Sequence, residues 1–550
     1  MSAPAALGVA ALLLLNVLLT LGNLWPTPWP RPQATVSPEL LLVLLAACAW
    51  TAWRGALRPG ALRLLAGLSL LWVAARYLDV TVEAVFGRPL NPYWDGRHLM
   101  SVLRLAGWSG AAVAAAVLAL LAAAALLYLL SARCWRAVTR GLLVPATARR
   151  RLAAVALLLM AVWLAPVAGW LPEGAKAVQD ALFARPVAPA MARQARLLAA
   201  QLWPGAGVAA LSPGPSFAGQ RLDGLRGADV LLVFAESYGV CTFDDAWQRA
   251  ALAPARERLR GALQAGGRGV VSTRVRSPTF GGASWLAHAA LLTGVDTRDP
   301  GDYERLLASD RPSLVSLFRE QGWRTVTWMP GLQRPWPEGA FYGFDRIAGA
   351  QGIGYAGLPL GPWRIPDPAA MALLDRQELQ RPTEGRKPRF AVFPTLASHA
   401  PFRPLPPFDG DWARLATGAA YTPAQIDAAL AQPADWSRAR PAYVEAIAAT
   451  FDWLGSYLAG SAPRAMLTIV VGDHQPWAAV SGEGASWDVP VHVISSDAAL
   501  LARFEALGFT RSIDAAAPTT GAAASPAMDG LTAVLLAAFD GRPIATLPRP

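Results

Sequence analysis

Long apolar runs dominate the first third of the chain, whereas shorter apolar runs alternate with polar and amphipathic segments in the rest. Before residue 172, five apolar stretches can be read, at about 5–22, 38–53, 61–76, 108–131 and 152–171. Each is close to the roughly 20 residues that a helix needs to span a bilayer. The pattern predicts a membrane domain, residues 1–172, with about five transmembrane helices.

Basic residues predict the orientation of this domain, because Lys and Arg accumulate on the cytoplasmic side. Arginines without acidic neighbours lie between the fourth and fifth stretches and between the second and third: Arg133, Arg136, Arg140, Arg149, Arg150, Arg151, and Arg54, Arg58, Arg63. The loop 77–107 mixes both charges. We expect the N-terminus inside and the chain after residue 172 outside. The start MSAPAALG carries no Lys or Arg, which argues against a cleaved signal peptide.

Composition supports a membrane protein, since 54% of the residues are hydrophobic. The net charge of +11 comes largely from arginines beside the apolar stretches. No basic helix interleaved with aromatic residues is present, so we expect no nucleic-acid binding. The three cysteines, Cys48, Cys134 and Cys241, have no paired spacing, which predicts neither a disulfide framework nor a zinc knuckle.

The rest of the chain predicts an α/β domain. Residues 173–224 are a Pro/Ala/Gly-rich juxtamembrane connector with an amphipathic helix near 188–202, which would bring Arg193 and Arg196 to lipid headgroups. From residue 225, strand-like runs (229–235, 268–273, 324–328, 389–395, 466–471, 489–494) alternate with helix-like ones (246–265, 284–293, 312–321, 440–459, 496–507). This alternation predicts a mostly parallel sheet covered by helices over 225–515, followed by a C-terminal helix and tail, 516–550.

Two of the strand-like runs end in metal-binding residues. LLVFAESYG, 231–239, leads to Glu236, and TIVVGDHQP, 468–476, leads to Asp473 and His474. Ligands gather at the carboxyl ends of parallel strands, so these residues can meet at one sheet edge. A lone Glu after a strand is more often a solvated acid. A carboxylate beside an imidazole, however, suits Mn²⁺, Zn²⁺ or Mg²⁺, and together the residues predict one divalent metal ion.

A third segment, SPTFGGASWLAHAALLTG at 277–294, brings Ser284 to the start of an apolar helix. There the helix dipole and free N–H groups would hold a phosphoryl or sulfuryl oxygen. An ordinary serine N-cap is the alternative. A metal beside the hydroxyl would make it a nucleophile. His288, one turn later, either contacts the nucleophile or an ester oxygen, or is a satisfied core histidine.

Residues 225 to 500 resemble the alkaline phosphatase and sulfatase superfamily. With the apolar stretches before it, the chain is most similar to membrane-anchored lipoteichoic acid synthases and phosphoglycerol transferases, with phosphoethanolamine transferases next. The resemblance implies one metal ion, usually manganese, held by Glu236, Ser284, Asp473 and His474, with Ser284 as nucleophile. Thr279 is the rival, because the transferases use a threonine. Ser284 is favoured because it precedes the ALLTG run by the family's interval.

Further segments bear on the substrate. TLASHAPF, 395–402, resembles the segment that presents a histidine to the substrate phosphate, which implies that role for His399. MPGLQRPWPEGAFYGFD, 329–345, occupies the place of a loop that offers His, Trp and Arg to the headgroup; Arg334 and Trp336 are counterparts, and no His is present. The run from Ser284 to His288 lacks the Pro and Arg of the C/S-x-P-x-R pattern, which argues against a formylglycine-dependent sulfatase.

The resemblance implies transfer of a phosphoglycerol-type headgroup from a phospholipid donor to a glycan or lipid acceptor of the cell envelope. It also implies a multi-pass protein of the bacterial inner membrane whose C-terminal domain faces the periplasm. One alternative is a sulfuric or phosphoric ester hydrolase at the outer face of the membrane. The other is a non-catalytic envelope protein that keeps a degenerate fold.

Overall fold

The structure is a computed structural model, and it describes residues 3–105, 108–143, 146–166, 175–202, 210–361, 365–380, 385–432, 438–515 and 525–543. The chain divides into two compact units, Met1–Val208 and Ala209–Pro550. The domain boundaries expected at residues 172, 225 and 515 stay predictions. Parts of the predicted fifth span, connector and C-terminal tail lie outside the described residues.

The first unit is helical. Its elements are α1 (Ala3–Leu19), β1 (Gly22–Asn23), β2 (Pro30–Arg31), α2 (Pro38–Arg54), α3 (Pro59–Phe86), α4 (Pro92–Leu105), α5 (Gly110–Leu142), α6 (Ala146–Leu164), α7 (Ala175–Leu182) and α8 (Val187–Leu202). Each predicted apolar stretch falls on one of these helices. In the described part of the chain, α3 and α5 are long and apolar enough to cross a membrane, and α1 is apolar but shorter. Five membrane spans stay a prediction.

The stretch expected to be a loop, 77–107, is largely helical, which corrects that expectation. Helix α3 continues to Phe86 and ends at Gly87, whose φ of 74° is left-handed. Helix α4 then begins after Asn91, whose side-chain oxygen accepts the Trp94 N–H at 3.3 Å. An N-cap of this kind lets a polar segment form a helix, which an apolar pattern alone does not reveal.

Buried polar residues tie α8 to α2 and α3. Glu39 accepts the N–H groups of Val187 and Ala188 at 2.5 and 3.3 Å, at the first turn of α8. Arg76 of α3 donates to the Leu21 carbonyl at 2.7 Å and to the Arg185 carbonyl at 3.3 Å. The end of α1 and the starts of α2 and α8 therefore lie on the same side of this unit.

Arg193 and Arg196, expected at lipid headgroups, are both exposed on α8. Arg193 is also paired with Asp79 of α3, at 3.7 Å. Contact of either residue with lipid stays a prediction.

The second unit is built on a seven-stranded sheet with the order β4-β9-β8-β3-β7-β5-β6. The strands are β3 (Val230–Ala235), β4 (Gly269–Arg276), β5 (Arg324–Trp328), β6 (Arg346–Ala348), β7 (Arg389–Pro394), β8 (Leu467–Gly472) and β9 (Asp488–Ser495). Strands β8, β3, β7, β5 and β6 are parallel, and β9 is antiparallel to both of its neighbours. The predicted α/β fold with a mostly parallel sheet is confirmed.

Helices cover both faces of the sheet. They are α9 (Cys241–Asp244), α10 (Ala246–Ala265), α11 (Ser284–Thr293), α12 (Pro300–Leu307), α13 (Leu314–Glu320), α14 (Gly339–Tyr342), α15 (Asp367–Leu374), α16 (Trp412–Leu415), α17 (Pro423–Leu430), α18 (Ala439–Ser456), α19 (Ala478–Ser481), α20 (Ala498–Ala506) and α21 (Met528–Phe539). Helices α10, α15 and α18 pack on one face, and α11, α13, α20 and α21 on the other. The six predicted strands and five predicted helices of this domain are present, whereas β6 and several short helices were not foreseen.

The central strand β3 shows why both faces are covered. All six of its residues are buried. Leu231, Val233 and Ala235 belong to one hydrophobic cluster, and Val230, Leu232 and Phe234 belong to the other. Side chains alternate between the faces of a strand, so an apolar residue at every position requires a cover on each face. Such a buried strand leaves its polar chemistry to the residues that follow it.

Candidate active site

Three potential metal ligands meet at the carboxyl edge of the sheet. Strands β3 and β8 are parallel neighbours, and Ala235 pairs with Gly472, so Glu236 and Asp473 leave the sheet side by side. Ligand atoms of Glu236, Asp473 and His474 all lie within 4.8 Å of one another. The three residues are buried, with exposed fractions of 8%, 0% and 2%. The sheet thus assembles from distant segments the cluster that the motifs predicted.

Ser284 adds a hydroxyl to this cluster. It is the first residue of α11, and its Oγ donates to Glu236 Oε2 at 3.1 Å and lies 3.2 Å from His474 Nε2. Thr279, the rival nucleophile, is 3% exposed and donates its hydroxyl hydrogen to the Gly282 carbonyl at 2.7 Å. The structure therefore brings Ser284 to the ligand cluster and uses the Thr279 hydroxyl to close a turn.

The turn before Ser284 is conformationally demanding. Gly281, Gly282 and Ala283 have φ values of 68°, 141° and 62°, all in the region that favours glycine. The Gly281 N–H donates to the Gln475 carbonyl at 3.0 Å, which ties the turn to the segment after β8. The alanine with a left-handed backbone immediately precedes the candidate nucleophile, and strain of this kind is typical of functional sites.

The donor set fits a divalent cation. Asp473 Oδ1 accepts the N–H groups of Ser237 and His474, both at 2.7 Å. Its Oδ2 is buried and has no hydrogen-bond partner among the described residues. Burial and the adjacent Glu236 carboxylate raise the pKa of Asp473 well above its usual range. Two carboxylates in a dry site, one with an unused oxygen, are stabilised by a cation between them.

The tautomer of His474 suits metal binding as well. Its Nδ1 lies 2.7 Å from the Gln475 carbonyl, which only accepts hydrogen bonds, so Nδ1 carries the proton. The Nε2 lone pair then faces the cluster, 3.5 Å from Glu236 Oε1. A backbone carbonyl that fixes the ring in this way is common for metal-binding histidines.

His399 lies on the segment that follows β7. Its Nδ1 is 2.8 Å from the Ala400 carbonyl and is therefore the protonated nitrogen. Burial raises the pKa of Glu236, but the nearby His399 and His474 and side-chain hydrogen bonds with Asp473 and Ser237 together leave this pKa below its usual range. His399 is thus close enough to act electrostatically on the ligand cluster, and its role toward a substrate phosphate stays a prediction.

His288 packs against β3. Its ring lies over Phe234, with centroids 4.0 Å apart. Its Nε2 is buried without a hydrogen-bond partner in the described part of the chain. Burial lowers the pKa of His288 to about 4, so the imidazole is neutral at pH 7. These contacts are those of a packed side chain, and a catalytic contact for His288 stays a prediction.

The two residues expected at the headgroup have different surroundings. Arg334 is exposed. Trp336 stacks on Tyr342, with ring centroids 5.7 Å apart, and joins the hydrophobic cluster on one face of the sheet. Substrate binding by either residue stays a prediction.

Other residues that support the site were not foreseen. Ser237 has a φ of 53°, and its hydroxyl donates to Glu236 Oε1 at 2.9 Å. Thr395 Oγ1 accepts the Glu236 N–H at 3.0 Å, and the Ser398 hydroxyl donates to the Glu236 carbonyl at 2.5 Å. Ser237 adjoins a predicted ligand and Ser398 adjoins His399, and this adjacency is the signal that could have found them.

Behind the cluster, a buried hydrogen-bond chain holds the segment after Glu236. The Ser272 hydroxyl donates to the Ser512 carbonyl at 2.5 Å, so His492 Nδ1 donates to Ser272 Oγ at 2.7 Å. His492 Nε2 then accepts the Tyr238 hydroxyl hydrogen at 3.0 Å. Burial lowers the pKa of His492 to about 3, in agreement with a neutral ring. This histidine is part of the scaffold.

The fold and site define an α/β domain with a Glu/Asp/His/Ser cluster at the carboxyl edge of its sheet. No protein-family model matches the chain, and no curated protein matches it. A solved structure of a protein in the alkaline phosphatase superfamily from Vibrio parahaemolyticus is similar, with 17% identity and a TM-score of 0.34 over 52% of this chain and 63% of the Vibrio chain. The match thus spans less than two thirds of that protein.

Two further solved structures are similar to the chain. The lipoteichoic acid synthase LtaP from Listeria monocytogenes has 13% identity and a TM-score of 0.32 over 52% of this chain and 69% of its own. The C-terminal periplasmic domain of EcEptC from Escherichia coli has 12% identity and a TM-score of 0.33 over 53% and 77%. All three similarities are at identities below 20% and cover about half of this chain.

Proposed function

We propose that this protein is a metal-dependent enzyme that transfers a phosphoglycerol-type headgroup from a phospholipid to a glycan or lipid acceptor of the cell envelope. The observation that carries the proposal is the position of Ser284 Oγ, 3.1 Å from Glu236 and 3.2 Å from His474. A lone N-cap serine does not need a buried carboxylate and an imidazole beside its hydroxyl. A nucleophile beside a metal does.

Glu236, Asp473, His474 and Ser284 would hold the divalent cation, with Mn²⁺ the first choice and Zn²⁺ or Mg²⁺ the others. When bound, such an ion lowers the pKa of a hydroxyl and draws off negative charge from phosphoryl oxygens. The unused Oδ2 of Asp473 and the Nε2 lone pair of His474 suit this role. The choice of manganese rests on the family resemblance.

The chain's own groups support a two-step transfer. In the first step Ser284 Oγ forms a bond to phosphorus, the bond from phosphorus to the diacylglycerol oxygen breaks, and diacylglycerol leaves with a proton. In the second step an acceptor hydroxyl forms the new bond to phosphorus, Oγ leaves, and Ser284 regains its proton. Ser284 directs its hydroxyl hydrogen at Glu236 Oε2 in the structure. The positive end of the α11 dipole and the His399 imidazole would stabilise charge on the phosphoryl oxygens.

Location at the outer face of a bacterial inner membrane is part of the same proposal. The apolar helices α3 and α5 and the arginine-rich segments beside the predicted spans support it. Membrane helices would keep the site near lipid donors and so raise their effective concentration. Hydrolysis of a phosphoric or sulfuric ester is the alternative, with water in place of the acceptor.

The test uses full-length protein in detergent micelles with labelled phosphatidylglycerol, in the presence and absence of candidate acceptors. We expect diacylglycerol release and a labelled Ser284 adduct, both lost in Ser284→Ala. Thr279→Ala is the matched control and should keep activity. Activity in Ser284→Ala together with its loss in Thr279→Ala would move the nucleophile to Thr279. Water-dependent release with no acceptor product would identify a hydrolase.

Metal analysis separates catalysis from a purely structural role. One divalent ion per chain is expected in the wild type and in His399→Ala, and none in a double variant carrying Asp473→Ala and His474→Ala. Absence of any ion in the folded wild type, even after Mn²⁺ or Zn²⁺ is supplied, would favour the non-catalytic alternative.

A further inference from the structure

A buried carboxylate on α15 accepts hydrogen bonds from the segment that carries His399. Asp367, the first residue of α15, is 2% exposed. Its oxygens lie 2.9 and 3.0 Å from the Leu396 N–H, and one of them accepts the Ala397 N–H at 2.8 Å. Burial of a carboxylate is costly unless donors surround it. Here the donors are two consecutive backbone amides of a segment beside the candidate site.

The same segment is also held by the backbone of Glu236, which directly follows β3. Thr395 accepts the Glu236 N–H, and Ser398 donates to the Glu236 carbonyl. Two turns follow, since the His399 N–H donates to the Leu396 carbonyl at 2.9 Å and the Phe402 N–H donates to the His399 carbonyl at 2.8 Å. The position of His399 therefore depends directly on residue 396, which Asp367 anchors.

The far end of this segment is also restrained. Phe402 is 1% exposed, has a φ of 66°, and packs edge-on against Tyr443 with ring centroids 5.3 Å apart. A short segment fixed at both ends has few accessible conformations, and it gains conformational freedom when one anchor is lost. Removal of the Asp367 carboxylate would leave two backbone N–H groups without their acceptor and release the end nearest His399.

We infer that Asp367 is a positioning residue that holds His399 at the phosphoryl group during transfer. The inference rests on the proposed function, and it extends that function to a residue on another helix that does not contact the metal ligands through its side chain. Asparagine is nearly the same size as aspartate, but it replaces one acceptor oxygen by an NH₂ group facing two N–H donors. Asp367→Asn therefore perturbs the anchor with little change in volume.

In full-length protein, Asp367→Asn should lower kcat about 100-fold, the loss associated with a displacement of about 1 Å in an active site. We expect KM to change little and the metal content to stay at the wild-type value. His399→Ala should lose a similar factor, and the double variant should lose no more than His399→Ala alone, because both changes remove one interaction. The inference would be contradicted if the fold-loss in kcat of the double variant equalled the product of the two single losses. Wild-type turnover in Asp367→Asn would contradict it as well.

Asp375→Asn is the matched control. Asp375 directly follows α15, is 5% exposed, and accepts the Tyr457 hydroxyl hydrogen at 2.8 Å, so it is a buried carboxylate bonded away from the His399 segment. Its variant should keep wild-type kcat. If Asp367→Asn does not fold, Asp367→Ser, which keeps one acceptor oxygen, should show the same non-additivity with His399→Ala.

A readout without turnover separates this inference from the proposed function. Hydrogen exchange at the amides of residues 396 and 397 should become faster by at least about tenfold in Asp367→Asn and stay unchanged in Asp375→Asn. Unchanged exchange would overturn the inference, even where the wild type transfers headgroups. A wild type that transfers none, with the expected exchange pattern, would instead count against the proposed function alone.

Discussion

Replacement of Glu378 by glutamine should destabilise the sheet-containing unit. Glu378 lies in the π-helical turn Asp375–Leu379 and is 3% exposed. It accepts hydrogen bonds from Arg324 at 3.1 and 3.3 Å, from Arg346 at 2.9 Å and from Arg389 at 3.1 Å. These arginines belong to β5, β6 and β7, so a single carboxylate joins three strands to the end of α15.

The magnitude follows from the burial of each partner. The Arg389 side chain is 6% exposed, and loss of one partner of such a buried pair costs about 3–5 kcal/mol. The Arg324 and Arg346 side chains are 37% and 27% exposed, so water can replace most of their interaction with Glu378. We expect the loss of each of these two pairs to cost about 0.5 kcal/mol of stability. Glutamine keeps one acceptor oxygen, which favours the lower end. We expect a total loss of about 4 kcal/mol.

Thermal unfolding of the full-length protein in detergent measures this loss. At about 2 °C per kcal/mol for a unit of this size, Tm should fall by about 8 °C. Glu505→Gln is the control, because Glu505 pairs with Arg511 at 2.7 Å on an exposed surface and should leave Tm unchanged. Metal content should not change in either variant.

The pH dependence provides the refutation. Burial raises the pKa of Glu378, but hydrogen bonds from Arg324 and Arg346, together with the charges of Arg324 and Arg389, leave the pKa lowered. A carboxylate with a lowered folded pKa contributes stability above its unfolded pKa, about 4.3, and loses it as the pH falls through the folded value. The difference between wild type and Glu378→Gln should be full at pH 7 and shrink below about pH 4. A difference that does not change with pH would refute the electrostatic origin.

Three further predictions concern stability and metal binding. Burial raises the pKa of Asp375 to about 6, so its negative charge destabilises the protein above that pH, and this cost disappears as the pH falls toward the unfolded pKa. In denaturation experiments Asp375→Asn should therefore be about 2 kcal/mol more stable than wild type at pH 7 and equally stable near pH 4. A stability difference that does not change with pH would contradict this. A Cβ on Gly472 would lie 1.9 Å from the Tyr238 carbonyl oxygen, whereas a Cβ on Gly261 in α10 would meet open space. Gly472→Ala should therefore lower the stability by about 2 kcal/mol or more, and Gly261→Ala should raise it by about 1 kcal/mol. Equal Tm values for the two variants would count against the packing described. Removal of the metal ion by a chelator should lower the stability of the wild type by about 2.7 kcal/mol, if the metal was present at 100 times its Kd. A chelator effect of the same size in Asp473→Asn would show that the ion binds elsewhere.

Local pattern was enough to predict much of the sheet. Strands β3 and β8 are buried along their whole length, and each is followed at once by a polar residue, Glu236 or Asp473. The pattern marks both the strand and its end. Strand β6, three residues long, has no such pattern and forms because it pairs with β5. Short elements of this kind depend on partners that a local window does not include.

The ligand and nucleophile candidates were predictable because their signals are local. Glu236, Asp473 and His474 directly follow apolar strands, and Ser284 opens an apolar helix after two glycines. The anchors of the site have no comparable signal. Asp367 resembles an ordinary helix-start acid, and its partners at Leu396 and Ala397 are 29 and 30 positions away.

The amino-acid sequence by itself determined the periodicities, the ends of the buried strands and the chemical types at those ends, because these depend on neighbours along the chain. Tertiary structure decided which ends meet. The parallel pairing of β3 with β8 places Glu236 beside Asp473, and the turn before α11 brings Ser284 within 3.1 Å of Glu236. Tertiary structure also decided that the Thr279 hydroxyl closes a turn and that the Asp367 carboxylate binds the backbone of the His399 segment. Such choices follow from the packing of distant segments, since a buried polar group is stable only where the fold supplies its partner.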